Sequence, residues 1–136
     1  MFDPRTRILI CDDMLTMRKL VGKVCKELGF TDLTEAPDGA KGWEALNGAN
    51  PPIGMIISDW NMPNSTGLDL LKRVRSDSRF SKMPFILVTA EAEQSQVVEA
   101  VKAGVSAYVV KPFTADQLKA KLEAVYKKMY GGTKAA

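Results

Sequence analysis

Residues 55–63 read MIISDWNMP, an apolar run that ends in a carboxylate. The run has the length and residue types of a buried β-strand. Asp59 follows it directly, and burying a carboxylate is costly unless a cation or hydrogen-bond donors meet its charge. This stretch therefore predicts a central strand that carries a charged, functional side chain at its end.

Short apolar runs of this kind recur along the chain, at 8–11, 33–36, 55–58, 85–88 and 107–110. Longer amphipathic stretches with helical periodicity separate them. Alternating strands and helices are typical of a parallel sheet covered by helices on both faces. We therefore expect an α/β fold with a doubly wound, five-stranded parallel sheet of the (βα)5 type.

The amphipathic stretches carry recognisable helix signals. Apolar stripes mark the first, fourth and fifth helices, with the members Leu20, Val21, Val24, Cys25 and Leu28; Val97, Val98 and Val101; and Leu118, Leu122, Val125 and Met129. Gly29 and Gly104 follow the first two stripes and are natural helix ends. We expect these glycines to terminate the first and fourth helices.

Helix starts are predicted by capping residues. Thr66 with Asp69, and Thr114 with Gln117, have the spacing of a capping box, in which the first side chain and the fourth exchange hydrogen bonds with the backbone. Asp38 before a glycine marks the turn into the second helix.

Length and composition fit one ordinary globular domain. The chain has 136 residues, of which 46% are hydrophobic and 26% charged. No apolar run approaches the roughly 20 residues that cross a bilayer, and the N-terminus lacks the apolar segment of a signal peptide. We expect a cytoplasmic protein that forms a single domain over 1–136, with a core at about 7–130 and a frayed tail at 131–136.

The chain contains no histidine and two cysteines. The missing histidine excludes Ser-His and Cys-His catalysis, imidazole zinc sites and an internal phosphohistidine. Cys11 and Cys25 stand among apolar residues, which predicts small buried side chains and no disulfide. Any chemistry must therefore use carboxylates, lysines, hydroxyls or a hard metal ion.

Charge is unevenly divided between the two halves. The formal net charge is +3, with 7 basic and 9 acidic side chains in 1–68 and 12 basic and 7 acidic ones in 69–136. Solvated helix faces are the usual meaning of such a basic half, and an anionic partner is the alternative. A nucleic-acid groove is not expected, because the basic residues are not interleaved with aromatic ones.

Polar residues follow four of the predicted strands. Asp12 and Asp13 follow the first, Asp59 the third, Thr89 the fourth and Lys111 the fifth. Strand ends of one kind share one edge of a parallel sheet, and open α/β sheets bind ligands outside the carboxyl ends of their strands. We therefore expect three carboxylates, a hydroxyl and an ammonium to meet at this edge.

These groups form the parts of a phosphoryl-transfer site. Clustered carboxylates repel one another, and a divalent cation relieves the repulsion. Oxygen ligands without histidine or cysteine favour Mg²⁺. Lys111 and Thr89 can contact phosphoryl oxygens. Asp59 stands alone, whereas Asp12 and Asp13 form a pair, so Asp59 is the best candidate for a carboxylate that accepts a phosphoryl group.

Each of these elements alone is typical of a turn, a cap or a strand end, but their ordered set is specific. DD at 12–13, SDWNMPNSTG at 58–67, TAEA at 89–92 and YVVKPF at 108–113 resemble the motifs of the receiver domain of bacterial two-component response regulators. The resemblance covers roughly 7–130. Within that family, the chain is most similar to the single-domain chemotaxis regulators of the flagellar motor.

The resemblance implies roles for the residues at the strand ends. Asp59 would be the phosphoacceptor. Asp13, Asp59 and the backbone carbonyl of Asn61 would bind Mg²⁺, with Asp12 reaching the metal through water. Lys111 would contact the phosphoryl group and Asp59. The implied fold is flavodoxin-like, with strand order 2-1-3-4-5.

The resemblance also implies a switch and a partner surface. Thr89 and Tyr108 match the family's switch pair, and the Lys111–Pro112 peptide bond is expected to be cis. The partner-binding face would include Ala92, Tyr108, Val110 and Lys121. Asn61 and Glu91 would border the path of the water that hydrolyses the aspartyl phosphate.

The favoured hypothesis is a monomeric, phosphorylation-controlled switch without an output domain. A histidine kinase would donate the phosphoryl group, the flagellar motor switch would be the output partner, and a phosphatase is a further candidate partner. A phosphoryl sink or relay shares all of this chemistry and stays open. An aspartyl-phosphate phosphatase or phosphotransferase is disfavoured, because Asn61 stands where such enzymes carry a second aspartate. A receiver that is not phosphorylated is disfavoured, because no acceptor or ligand residue is missing.

Overall fold

The computed structural model describes residues 2–90 and 94–130. Strands and helices alternate along the chain, in the order β1 (Ile8–Cys11), α1 (Leu15–Glu27), β2 (Leu33–Ala36), α2 (Gly39–Gly48), β3 (Met55–Asp59), α3 (Gly67–Ser76), β4 (Phe85–Thr89), α4 (Gln94–Lys102), β5 (Ala107–Val110) and α5 (Ala115–Tyr130). Within the described residues, no helix is both long enough and apolar enough to cross a membrane.

The strands form one parallel sheet in the order β2-β1-β3-β4-β5, which confirms the predicted fold class and strand order. The register aligns the carboxyl ends of neighbouring strands. Cys11 pairs with Ser58, Asp59 with Val88, and Thr89 with Val110. Residues that follow these strands therefore emerge side by side, as the sequence predicts.

Alternation along the strands divides the core into two clusters, one on each face of the sheet. Ile8, Ile10, Met55, Ile57, Ile86, Val88 and Val109 lie in the cluster that contains side chains of α1 and α5. Leu9, Cys11, Ile56, Phe85 and Leu87 lie in the cluster that contains side chains of α2, α3 and α4. Because helices cover both faces, successive side chains of the inner strands are buried and the strands read as unbroken apolar runs.

The predicted helix signals are confirmed. Thr66 accepts a hydrogen bond from the backbone of Asp69, and the Asp69 carboxylate accepts one from the backbone of Thr66, which completes a capping box. The second predicted box, at the start of α5, forms in the same way. Gly29 and Gly104 have φ angles of 101° and 90°, a conformation that glycine adopts without steric cost at helix ends.

The structure departs from the predicted elements at the ends of β3 and β4 and in the apolar stripes of α1 and α4. On α1, the stripe residue Leu20 is 49% exposed. β3 and β4 each extend one residue further than the apolar runs, so that Asp59 and Thr89 belong to the strands themselves. The predicted stripe on α4 does not face the core, because Val98 and Val101 are 43% and 62% exposed, whereas Ala100 is buried.

Both cysteines are free and buried, as predicted. Burial raises the pKa of each thiol to about 12, and the charges of Asp38 and Asp12 contribute to the shift of Cys11. Thiols with such pKa values stay protonated near neutral pH, which makes them poor nucleophiles. Cys11 and Cys25 therefore act as packing side chains.

The start of α3 presses against the end of β3. The Gly67 amide donates a hydrogen bond to the Trp60 carbonyl at 3.0 Å. A Cβ atom at this glycine would overlap the backbone carbonyl oxygen of Asp59 and would approach Leu87 Cδ2 to 2.9 Å. Only glycine allows this close approach of helix and strand.

We therefore expect Gly67→Ala to lower the free energy of unfolding by about 3 kcal/mol, because the rigid backbone of β3 cannot yield to the added methyl group. Urea unfolding followed by circular dichroism measures the change. Gly48→Ala is the matched control, since no neighbouring atom lies within 4 Å of a Cβ there. It should leave stability unchanged or raise it by up to about 1 kcal/mol. Equal effects of the two substitutions would contradict the packing argument.

Candidate functional site

Three carboxylates meet at the carboxyl edge of the sheet. Asp12 and Asp13 follow β1, Asp59 ends β3, and one oxygen of each lies within 4.8 Å of the others. Asp12 and Asp59 are buried, at 2% and 8% exposure, while Asp13 faces solvent. The predicted acidic cluster is therefore formed, with two members inside the protein and one at its surface.

Lys111 forms ion pairs with both buried members of this cluster. Its Nζ lies 3.2 Å from Asp59 Oδ1 and 3.4 Å from Asp12 Oδ2. The contact with Asp59 agrees with the role that the family resemblance implies, and the contact with Asp12 was not predicted. The Lys111–Pro112 peptide bond is cis, as expected, and a second cis bond at Asn50–Pro51 was not predicted.

The environment of Asp59 makes its ionised form less favourable than that of an ordinary aspartate. Burial is the main cause that raises the pKa of Asp59 above the ordinary value, and the charge on Asp12 raises it further. The ammonium of Lys111 and the backbone amide of Trp60 lower it and offset part of the shift. A divalent cation at this position would favour the ionised carboxylate more strongly, because it adds positive charge next to a partly desolvated anion.

Thr89 and Tyr108 lie on neighbouring strands. Thr89 is the buried last residue of β4, and Tyr108 is half-buried on β5, where it pairs in register with Leu87. The Lys121 ammonium stands 5.2 Å from the centroid of the Tyr108 ring, within range of a cation–π contact. Val110, at the end of β5, is 37% exposed. The predicted partner face is thus partly exposed, and two of its members touch.

Asn61 lies in the exposed loop between β3 and α3, two residues after Asp59. The far end of this loop is held against the start of α2. Asn64 has a φ of 66°, and its side-chain amide donates to Asp38 Oδ2 at 3.1 Å. Gly39 donates its amide to the Ser65 carbonyl at 3.0 Å. This attachment was not predicted, because it joins residues 26 positions apart that carry no shared motif.

Arg18 holds Asp12 from the side of α1. Its Nη1 donates to the Asp12 carbonyl at 2.7 Å, and its Nε donates to Glu35 Oε1 at 3.2 Å. Lys19 also pairs with Glu35, at 2.7 Å. This network links the pair Asp12 and Asp13 to α1 and to the edge strand β2. No local sequence pattern predicts it.

Two residues that were assigned roles from the sequence fall outside the described residues. They are Ala92, expected on the partner face, and Glu91, expected beside the water path. The predicted C-terminal tail at 131–136 also lies outside the described residues.

The acidic cluster suits a hard cation. All three ligand groups are carboxylates, and their oxygens are close enough for shared coordination. Mg²⁺ prefers such oxygen ligands and is bound by few protein groups, with water completing its shell. Asp12, Asp13 and Asp59 therefore fit the ion that the sequence predicts.

Comparison with known proteins identifies the family. Residues 8–123 match the response regulator receiver domain. "Chemotaxis protein CheY" of Pseudomonas aeruginosa is 46% identical over 92% of this chain and 99% of its own length. "Chemotaxis protein CheY1" of Helicobacter pylori (strain ATCC 700392 / 26695) is 48% identical over 88% of this chain and 95% of its own length.

Solved structures agree with this assignment. The chemotaxis response regulator CheY4 of Vibrio cholerae superposes with a TM-score of 0.79 at 29% identity, covering 89% of this chain and 98% of that protein. Receiver domains of this type are signalling switches rather than conventional enzymes, and they bind Mg²⁺ at an acidic pocket. The chain described here belongs to the response regulator receiver domain family, and the two curated relatives named above are chemotaxis proteins of the CheY type.

Proposed function

We propose that this protein is a signalling switch that is turned on when Asp59 accepts a phosphoryl group. The observation that carries the proposal is the contact of the buried Asp59 carboxylate with Lys111, beside two further carboxylates that suit a divalent cation. Lys111 gives the Asp59 carboxylate the cation partner that an acceptor needs, because the acceptor must be ionised when the donor arrives.

In the proposed reaction, one Asp59 oxygen attacks the phosphorus of a phosphohistidine on a histidine kinase. The bond between phosphorus and the imidazole nitrogen breaks, and the electron pair returns to that nitrogen. Lys111, 3.2 Å from Asp59 Oδ1, can stabilise the negative charge on the phosphoryl oxygens. Thr89 at the end of β4 is proposed to donate its hydroxyl to the bound phosphoryl group.

Asp13, Asp59 and the Asn61 carbonyl are proposed to hold Mg²⁺, with Asp12 contributing through water. The ion supplies positive charge that offsets the carboxylates and the incoming phosphoryl group. Lys111 already neutralises part of the buried charge through Asp12, which leaves Asp13, the exposed carboxylate, as the most accessible ligand. The chain's own contribution is therefore a set of oxygens fixed in place before the ion or the donor arrives.

We propose that activation reaches the surface through Thr89 and Tyr108. A phosphoryl group adds a charge of roughly −1.5 to −2 near the end of β4. Movement of Thr89 toward it would make room beside β5 for the Tyr108 ring. Because Lys121 stacks over that ring, an inward shift of Tyr108 would break this contact and release the ammonium for a partner.

The output partner is proposed to be the flagellar motor switch, because the two curated relatives named above are chemotaxis proteins. A phosphoryl sink is the second candidate, and it shares the same site chemistry. The two differ in output: a motor regulator binds the switch protein more tightly after activation, and a sink does not. A phosphatase and a histidine kinase are further proposed partners.

Asp59→Asn should abolish phosphorylation, because the amide oxygen is a much weaker nucleophile than a carboxylate. Incubation with acetyl phosphate and Mg²⁺, followed by mass spectrometry of the intact protein, should show one added phosphoryl group in the wild type. Asp116→Asn, an exposed change on α5, is the matched control and should be modified normally. Full modification of the Asp59→Asn protein would refute the assignment of the acceptor.

Asp13→Ala should weaken Mg²⁺ binding by about tenfold or more, because it removes the accessible carboxylate of the cluster. Trp60 follows Asp59 directly, so its fluorescence should report the titration. Trp43→Phe provides the background, since Trp43 otherwise adds its own signal and phenylalanine preserves its aromatic packing against Phe80. An unchanged titration in the Asp13→Ala protein would rule out its role as a ligand.

Thr89→Ala should leave phosphorylation of Asp59 largely intact but remove most of the gain in partner affinity on activation. Affinity for the purified flagellar motor switch protein, with and without beryllofluoride and Mg²⁺, measures that gain. A full gain in the Thr89→Ala protein would show that the signal takes another route. No gain in the wild type, despite full modification of Asp59, would favour the sink.

Lys121→Glu should weaken partner binding by about tenfold without changing phosphorylation, because it reverses a charge and removes the cation above Tyr108. Lys119→Glu makes the same change in charge at an exposed position of α5 and serves as the control. Equal losses in the two variants would mean that net charge, rather than the contact with Tyr108, determines binding.

A further inference from the structure

A cavity with a partly polar lining lies at the opposite edge of the sheet from Asp59. It has a volume of about 360 Å³ and lies beside the segments that lead into β4 and β5. Its polar lining consists of Arg75, Ser81, Lys82, Ser106 and Lys128, which come from the end of α3, the two loops and the end of α5. The cavity therefore shares no residue with the acidic cluster.

The charges around this cavity are all positive. Three cations line it, and no aspartate or glutamate does. Within 2–90 and 94–130, neither Arg75, Lys82 nor Lys128 forms an ion pair. Cations that share one concave surface repel one another, and a bound anion would relieve that repulsion.

Arg75 is held at the cavity wall by neutral groups alone. Its Nε donates to the Gly104 carbonyl at 2.8 Å, and its Nη2 donates to Ser106 Oγ at 3.2 Å. Its Nη1 is buried and has no hydrogen-bond partner in the described part of the chain. Burial also lowers the pKa of Arg75. The guanidinium is thus fixed in place and partly desolvated without any anion to compensate its charge.

Ser106 adds an oriented donor to the same wall. Its oxygen accepts hydrogen bonds from Arg75 Nη2 and from the Phe85 amide, at 3.2 Å and 3.0 Å. A hydroxyl oxygen has two acceptor positions, so both are filled and its proton remains to be donated. A ligand acceptor in the cavity would satisfy that proton.

A purely structural role explains only part of this arrangement. The hydrogen bonds of Arg75 tie α3 to the turn before β5 and account for the position of its side chain. They do not account for Lys82 and Lys128, which come from separate elements and line the same cavity without a carboxylate between them. A bound anion would account for the convergence of these cations as well as for the buried, unpartnered Nη1 of Arg75.

We propose that this cavity binds a small anion that carries phosphate, such as a diphosphate group. Several cations and a hydroxyl donor match a ligand with many oxygens and more than one negative charge better than they match a single carboxylate. The volume is in the range of small-molecule sites and suits a molecule of this size. The site is distinct from the proposed phosphorylation site and does not depend on it.

The test is a titration with sodium pyrophosphate, without Mg²⁺ and with EDTA, followed by amide chemical shifts in two-dimensional NMR. We expect saturable shifts at the amides of Lys82, Gly104 and Ser106. The double variant Lys82→Gln/Lys128→Gln should weaken binding by about tenfold or more. Both lysines are exposed, so the variant keeps the fold, whereas a change at Arg75 would also loosen the turn that it holds.

The matched control removes the same two charges elsewhere. Lys72→Gln/Lys119→Gln alters exposed lysines that do not line this cavity, and it should change affinity by less than about twofold. Three results would overturn the proposal: no saturable shift at the cavity amides up to about 10 mM pyrophosphate, equal weakening by the two double variants, or sulfate binding as tightly as pyrophosphate.

Discussion

The bridge from the Lys111 ammonium to two buried carboxylates is the interaction on which the site depends. Asp12 follows β1 and Asp59 ends the neighbouring parallel strand β3, so the register of the sheet brings their negative charges together. Among the described residues, Lys111 is the one cation that pairs with either of them. Leaving a buried charge without its partner typically costs about 3–5 kcal/mol, which makes this lysine a structural requirement as well as a chemical one.

The surroundings of this bridge are fixed from several directions. Arg18 holds the backbone of Asp12 from α1, and the attachment of Asn64 to Asp38 secures the loop that carries Asn61. Gly67 brings the start of α3 against the Asp59 carbonyl. A scaffold of this kind keeps the carboxylate and carbonyl oxygens of the site in place when a phosphoryl group binds. The site is therefore already arranged for positioning and electrostatic stabilisation and does not have to reorganise during the reaction. Because this scaffold is fixed, the side chains at the strand ends are the groups that can move in response to the charge of the phosphoryl group.

Much of this arrangement follows from local sequence. The runs at 8–11, 33–36 and 107–110 coincide with β1, β2 and β5. The signal is clearest for the inner strand β1, because a strand covered on both faces leaves an unbroken apolar signature. The parallel sheet then brings the strand-end residues together without any further information. Contacts between segments that are far apart in the chain could not be predicted from the sequence, as the hydrogen bond from Asn64 to Asp38 shows. The exposure of Val98 and Val101 could not be predicted either. An apolar stripe indicates a helix through its periodicity, but it does not show whether the stripe faces the core or the solvent.

The same topology places negatively charged side chains at one end of the sheet and positively charged side chains at the other. The carboxyl edge gathers Asp12, Asp13 and Asp59, and the amino edge holds the cavity with Arg75 at its wall. β4 and β5 run between them, with Thr89 at one end and the hydrogen bond from the Phe85 amide to the Ser106 hydroxyl at the other. Any coupling between the two edges would be conveyed most directly by these strands, whose ladder of backbone hydrogen bonds resists independent movement. Coupling of that kind is reciprocal: an anion that favoured the activated arrangement of β4 and β5 would be bound more tightly once Asp59 was phosphorylated, and by the same factor.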